Sequence, residues 1–585
     1  MRHGRTGTGR PAGRRVRIPC AAPAKRARVA YREAHHLPRR RAMKVAQAIA
    51  RAMKAEGIDM LFAYPVNPLI EAAAAEDIRT IIVRQERVGL HMADAYSRVS
   101  SGDRIGVFCM QHGPGAENAF GGVAQAYSES VPILVVPAGY ARRLAHHYPN
   151  FNSVQNMRHI TKWAEPLTMG KAAPEVLRRA FSQLRNGRPG PVLIEVPVDV
   201  FGEEVPDDWV HVPALRARTG PDPADVARAA AVLAAAQRPV IYAGQGVHYA
   251  KAWPQLRALA EAWNIPVTTS IEGKSAFPED HPLSLGSGGR ANPRPVKSFL
   301  VEADVILGVG CSFAQTPFGV TMPEGKTVIH ATLDPMDLNK DLPVQHALIG
   351  DAALALDALI AAMAGMDHAP ARARTGLPAR IAALKTEWLA EWLPRLNAQT
   401  TPINPYRVVW ELDRLVDKAR TIITHDAGSP RDQTTPFWSA TAPLSYLGWG
   451  KSTQLGYGLG LAMGARLARP DCLCINVWGD AAIGFTGMDF ETAVRERIPI
   501  LSILFNNFSM AIEIPIMPVS QAKYGATDIS GHYADMARAF GGYGERVTDP
   551  ADIVAALKRG IEATQRGQPA LLEFITTKEI EISRG

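Results

Sequence analysis

The sequence predicts an α/β protein of three tandem domains, each a doubly wound parallel sheet, and three observations carry that prediction. Helix-like and strand-like stretches alternate along the chain, the pattern of a parallel sheet wrapped by helices. The 585 residues are too many for one core. Proline-rich breaks divide the alternation into blocks, and no short repeat period runs through it, which excludes a solenoid.

The first domain is expected over residues 43–213. Val45, Ile49 and Met53, spaced by four, mark one helical face, and Gly57 ends that helix. Met60-Leu61-Phe62-Ala63 follows as a short strand. A strand at Thr80–Arg84 runs into a helix from Glu86 to Ser101, ended by Gly102, and then a strand at Ile105–Met110. A helix opening near Gly115 leads to a strand at Pro132–Val136. The turn Gly187–Pro191 introduces the last strand, Val192–Val196. The second domain, residues 220–365, opens at Gly220-Pro221-Asp222-Pro223 and has strands at Val240–Ala243, Val305–Gly308 and Thr327–Ala331. Residues 366–402, helical and partly charged, read as a linker. The third domain, residues 403–580, has strands at Thr421–Thr424, Cys472–Trp478, Ile500–Phe505 and Ala570–Phe574.

The net charge of +9 suggests a polyanion partner until its distribution is examined. Residues 1–42 hold thirteen Lys and Arg against Glu33, a segment charge of +12, so residues 43–585 carry −3. A mildly acidic body offers no footprint for nucleic acid. No apolar run is long enough to cross a bilayer. The basic segment has no apolar core, so it is not a secretory signal; the working chain is expected to start at Met43. Five cysteines suggest no disulfide framework, and a reducing cytoplasm is the expected home.

Chemistry concentrates in the third domain. Strand Cys472–Trp478 ends in Gly479-Asp480-Ala481, and the next strand, Ile500–Phe505, ends in Asn506-Asn507. The spacing admits one crossover helix and brings a carboxylate and an amide oxygen to neighbouring strand tips, where open parallel sheets bind ligands. A hard divalent cation takes such oxygens and completes its shell with phosphate. Gly479 and the small Ala481 let backbone amides approach a diphosphate.

This pairing resembles the fingerprint of thiamine-diphosphate enzymes, and the chain is similar to the acetolactate synthase and pyruvate decarboxylase superfamily over residues 43–580. The usual Gly-Asp-Gly is Gly-Asp-Ala here. The resemblance implies magnesium on Asp480, Asn507 and the Ser509 carbonyl, with the diphosphate near Asp480, Ala482, Gly428 and Ser429. Met510 follows in the same segment, and Leu455, in Thr453–Gly458, resembles the apolar wedge that bends the cofactor. In the first domain Gln85-Glu86-Arg87 resembles the helix start that carries the family's activating glutamate. That carboxyl bonds the pyrimidine ring so that the cofactor can shed its thiazolium proton. Gly113-Pro114-Gly115-Ala116-Glu117-Asn118 matches the family's Gly-Pro-Gly-x-x-Asn loop, and Pro65 stands in the place of its Pro-Gly-Gly loop. The first and third domains are thus pyrimidine-binding and diphosphate-binding.

The central domain resembles that of acetolactate synthases over Arg238–Gly286, which holds FAD in that family. The later segment, rich in Arg and Asp there, is Gly310-Cys311-Ser312-Phe313-Ala314-Gln315 here, without a guanidinium to anchor FAD. Two features lean toward simple decarboxylases. Met510–Glu513 lacks the tryptophan of the synthase acceptor pocket, and His146-His147 falls near a decarboxylase histidine pair, which makes His147 a catalytic candidate. The expected reaction is loss of carbon dioxide from a small 2-keto acid, with the remaining fragment joined to a second carbonyl. Its alternatives are protonation of that fragment, as in a 2-keto acid decarboxylase, and an inactive cofactor-binding subunit. The family's cofactor lies between two chains, so a homodimer or homotetramer is implied.

Overall fold

The computed structural model describes residues 43–145, 147–206 and 208–585; the basic segment 1–42 and His146 lie outside the described residues. Three six-stranded sheets, all parallel, form the body. The first contains β1 (Met60–Ala63), β2 (Arg79–Ile82), β3 (Gly106–Met110), β4 (Ile133–Gly139), β5 (Trp163–Pro166) and β6 (Val192–Pro197), ordered β2-β1-β3-β4-β6-β5. The second contains β7 (Pro239–Ala243), β8 (Val267–Thr269), β9 (Ser284–Ser287), β10 (Val305–Val309), β11 (Thr327–Thr332) and β12 (His346–Ile349), ordered β12-β11-β10-β7-β8-β9. The third contains β13 (Thr421–His425), β14 (Tyr446–Leu447), β15 (Leu473–Gly479), β16 (Leu501–Asn506), β17 (Tyr543–Val547) and β18 (Ala570–Ile575), ordered β14-β13-β15-β16-β18-β17. The central strands are apolar on both faces because helices cover both: β3, β4 and β6 are buried at every residue.

The first and third domains dock through two helices, Glu86–Arg98 and Tyr457–Ala468. Gly460 and Gly464 make the approach possible. A Cβ on Gly460 would lie 2.4 Å from His91 Cβ, and one on Gly464 2.2 Å from the Met92 carbonyl oxygen. The crossing buries an ion pair, Arg98 Nε to Asp94 at 2.7 Å, with the Tyr457 hydroxyl donating to the same carboxylate. Arg98 also donates to the Gly448 carbonyl at 2.8 Å, which satisfies a charge that would be costly unpaired.

Residues 366–402 are more than a linker. The helix Leu377–Leu396 sends Trp388, Trp392 and Leu396 into the third domain's core. Buried Arg374 donates to the carbonyls of Ala236, Trp263 and Asn264, at the ends of two helices of the second domain. The charge seen in this segment is spent on the outer face and on these caps.

A third junction involves Glu129, fully buried at the end of the helix Pro114–Ser128. Its Oε1 accepts the backbone N–H groups of Gly450, Lys451 and Ser452 at 3.2, 2.9 and 3.4 Å, while Oε2 has no partner. Burial, with Glu272 nearby, pushes this carboxyl up from 4.5 to about 7. The folded protein therefore holds the proton more tightly than the unfolded chain. That stabilisation is full below the unfolded value and is lost as pH rises through about 7. Glu129→Gln keeps an acceptor for the three amides and cannot ionise. It is expected to raise the melting temperature at about pH 8 and leave it little changed at about pH 4.5, read by thermal unfolding at both values.

Candidate functional site

β15 and β16 are neighbours with Gly479 opposite Phe505, so Asp480 and Asn507 leave the sheet at adjacent carboxyl tips. The connection between them is two short helices, Asp480–Thr486 and Phe490–Arg495, joined by a tight turn, and not the single helix expected. Asp480 is 3% exposed. Its Oδ1 accepts the Ala481 N–H at 2.9 Å, and its Oδ2 accepts those of Asn507 and Ser509, both at 3.1 Å. Burial raises its pKa, and the backbone bonds oppose that rise. Beside it, Asn507 Oδ1 is buried with no hydrogen-bond partner. Ala481 costs nothing here, because the position is helical and needs no glycine.

A cavity of about 120 Å³ opens over these tips. It is lined by all ten third-domain residues singled out in the sequence: Gly428, Ser429, Leu455, Gly479, Asp480, Ala481, Ala482, Asn507, Ser509 and Met510. Gly428 ends the β13 turn at φ +80°, a conformation that favours glycine, and caps the short helix Ser429–Thr434. Leu455 is held by a residue that the sequence reading passed over. Asp426, fully buried at the tip of β13, accepts N–H groups from Ala427, Gly456 and Gly458 at 2.8, 2.9 and 3.0 Å. Its carboxyl is pushed up to about 6 by burial. This clamp fixes the turn that presents Leu455 to the cavity. Glu513 was also missed as a site residue; it lines the cavity and is, with Asp480, one of two carboxylates there.

The first-domain candidates stand elsewhere, at the carboxyl edge of the first sheet. Glu86 opens the helix Glu86–Arg98 and is 4% exposed; burial raises its pKa, opposed by its own backbone N–H and by the nearby Asn118 amide. Asn118 is exposed on the helix Pro114–Ser128. Pro65, exposed, follows β1. His147 is exposed in the loop after β4, where its N–H donates to the Leu144 carbonyl at 3.0 Å. None of these four lines the cavity over Asp480.

Three family models match the chain in the same order as the sheets. Residues 43–161 match the N-terminal TPP binding domain of thiamine pyrophosphate enzymes, 226–359 their central domain and 426–574 their C-terminal TPP binding domain. The probable acetolactate synthase large subunit of Methanocaldococcus jannaschii is 30% identical over 558 residues, covering 91% of this chain and 92% of that protein. The chain belongs to the thiamine pyrophosphate enzymes. The probable acetolactate synthase large subunit of Methanococcus aeolicus is similar at 28% identity, over 91% of this chain and 92% of the relative. The Escherichia coli acetolactate synthase isozyme 3 large subunit matches at 26%, over 89% and 93%. This thiamine pyrophosphate enzyme is thus acetolactate-synthase-like, and its cofactor is thiamine diphosphate.

The residues present fit that group. A hard cation bridging a diphosphate needs few protein oxygens, and Asp480 with the unpartnered Asn507 oxygen offers them. Among the described residues no group of three or more His, Cys, Asp or Glu is placed to hold a metal ion. No described helix is long and apolar enough to cross a membrane.

The second domain has a larger cavity, about 170 Å³, where the strand order reverses at β10 and β7, the position at which such sheets take ligands. Gly244 after β7 would place a Cβ 2.4 Å from the Gly310 carbonyl oxygen after β10, so the two loops cross without room for a side chain. Gly310–Gln315 brings no guanidinium, as the sequence indicates, but Arg188, Arg216 and Arg218 line the cavity from outside this domain's sheet. Each is already ion-paired: Arg188 with Asp334 and Asp337, Arg216 with Asp103, and Arg218 with Asp351. Lys451 joins them from the third domain.

Proposed function

We propose that this enzyme decarboxylates a small 2-keto acid and joins the remaining fragment to a second carbonyl compound. The observation that carries the reading is the cavity in which Asp480, Asn507 and Leu455 meet at the tips of β13, β15 and β16. Magnesium would be held by Asp480, Asn507 and the Ser509 carbonyl, and the diphosphate by amides around Asp480, Ala482, Gly428 and Ser429, with Leu455 and Met510 against the rings. Thiamine diphosphate supplies the nucleophilic carbon and the electron sink for decarboxylation. Glu86 holds and shares a proton at the pyrimidine ring, beside Asn118 and Pro65.

Because Glu86 does not line the Asp480 cavity of its own chain, two copies are proposed to complete each site, as a homodimer or homotetramer. Exposed apolar side chains support this: Phe120 and Tyr127 on the helix that carries Asn118, and Phe485 on the helix that carries Asp480. FAD is proposed as a candidate occupant of the second-domain cavity, where carboxylates suited to ribose hydroxyls sit beside arginines suited to phosphate. A cytoplasmic home is supported by four buried free cysteines.

Glu513 favours a second reading. A carboxyl group in the cavity can deliver a proton to the fragment, and His147 at the first sheet's edge could assist, which would make the enzyme a 2-keto acid decarboxylase. One experiment separates the two. Purified protein with thiamine diphosphate and magnesium is given a panel of keto acids and the products are identified. Acetolactate from pyruvate is expected. Aldehydes alone would establish the second reading, and no consumption of any keto acid would refute both.

A further inference from the structure

Among the described residues five histidines are buried, and each makes at least one hydrogen bond through its ring, although Nδ1 of His91 and of His330 has no partner. His91 is bonded to Gln454, His211 to Glu56, His248 to the Lys274 carbonyl, His330 to the Cys311 carbonyl and His425 to the Asp426 carbonyl. His112 differs. It follows β3 at the carboxyl edge of the first sheet, half-buried, and its Nδ1 is buried without a hydrogen-bond partner. An unpaired polar atom at the carboxyl edge of the sheet is free to take a partner from a bound molecule.

The loop around His112 is shaped to hold this ring in one place. The Tyr140 ring meets the imidazole edge-on at 4.6 Å, with an interplanar angle of 63°. Gly113 makes the contact possible: its φ is +63°, and a Cβ there would lie 2.6 Å from the Tyr140 hydroxyl. Two residues on, a Cβ at Gly115 would lie 3.4 Å from Glu86 Oε1, and the Asn118 amide is near enough to that carboxyl to lower its pKa. One loop therefore carries an uncommitted imidazole and lies against the carboxyl proposed to activate the cofactor.

We propose that His112 is a catalytic acid–base residue for the carbonyl oxygen of the keto acid, and that Tyr140 positions it; the proposal rests on the reaction proposed above. When a carbon–carbon bond forms at the keto carbon, the π pair of the carbonyl moves onto oxygen. The imidazolium N–H gives its proton to that oxygen and becomes neutral imidazole. When a carbonyl re-forms on product release, the carbon–carbon bond breaks and the hydroxyl proton returns to the same nitrogen, so no outside reductant or acid is consumed. Histidine suits both directions because its pKa lies close to neutral pH. The five buried histidines are enclosed in the core and cannot serve in this way.

The test uses His112→Ala and His112→Gln in the full-length protein with thiamine diphosphate and magnesium. The substrate is the best keto acid among pyruvate, 2-ketobutyrate and phenylpyruvate. Turnover is expected to fall about 100-fold or more. Cofactor affinity by calorimetry and thiazolium proton exchange without substrate should stay within about threefold of the parent. Added imidazole should restore part of the turnover of His112→Ala. In parent protein carrying 13C-labelled histidine, the resonance that His112→Ala removes should shift when the keto acid is added. Unchanged turnover would overturn the role. So would affinity and exchange falling together with turnover, since that marks a structural residue. If the parent itself fails to exchange its thiazolium proton, the proposed reaction falls first, and the role with it.

Discussion

Asp480→Ala is expected to weaken thiamine diphosphate binding by about 100-fold or more at fixed magnesium, the scale of breaking a buried, compensated charge pair. Asp480 is the one charged ligand proposed for the metal, so without it the proposed ligand set keeps only the neutral oxygens of Asn507 and the Ser509 carbonyl. The substitution should also cost stability before any cofactor is added. The carboxylate accepts three backbone N–H groups, and alanine leaves those of half-buried Asn507 and buried Ser509 without this partner. A loss of about 1–3 kcal/mol per orphaned group sets the scale. Asp480→Asn separates the two effects: an amide oxygen can still accept from the backbone, so stability should recover while affinity stays low. Calorimetry with thiamine diphosphate, alongside urea unfolding without it, reads both. Parent-like affinity in Asp480→Ala would remove the metal assignment.

The ease of finding Asp480 and Asn507 in the sequence has a physical cause. They stand at the ends of two largely apolar strands, β15 and β16, whose runs are visible because helices cover both faces. The six strands that the sequence does not signal are β5, β8, β9, β12, β14 and β17, and five of them lie at sheet edges. An edge strand is short or keeps polar side chains toward water, as in Tyr543–Val547 with its Glu545 and Arg546, so it lacks the apolar run that marks a central strand. Residues 366–402 misled for a related reason: Trp388, Trp392 and Leu396 recur on one face of a helix whose other face is charged. Asp426 and Glu513 left little trace, because their roles depend on chain segments far apart in sequence. Asp426 holds Gly456 and Gly458 across thirty residues, and no local pattern reports that. A signal was present all the same, since an aspartate closing an apolar strand just before Ala-Gly-Ser repeats the logic of Gly479-Asp480.

Glu86→Gln separates a working enzyme from a protein that only binds the cofactor. The proposed contact is with the pyrimidine ring, whereas the diphosphate, proposed to sit in the third domain, is expected to provide most of the affinity. The variant is therefore expected to bind thiamine diphosphate nearly as well as the parent, because an amide of the same shape can still hydrogen-bond the ring. Proton sharing is what it loses. Burial raises the Glu86 pKa, which brings the carboxyl closer to the state in which it can give and take a proton near neutral pH. Glutamine has no such proton, so the cofactor's thiazolium proton should exchange with deuterium about 100- to 10,000-fold more slowly, the range for removing a general acid–base partner. Exchange followed by nuclear magnetic resonance needs no substrate, so the result does not depend on which keto acid the enzyme uses. Two further variants fix the interpretation. Glu86→Asp keeps a carboxyl on a shorter arm and should recover part of the rate, whereas Asn118→Ala should leave Glu86 in place without its nearby amide and slow exchange only modestly. Exchange at the parent rate in Glu86→Gln would mean that another group activates the cofactor, and the first domain's role would have to be sought elsewhere along the carboxyl edge of its sheet.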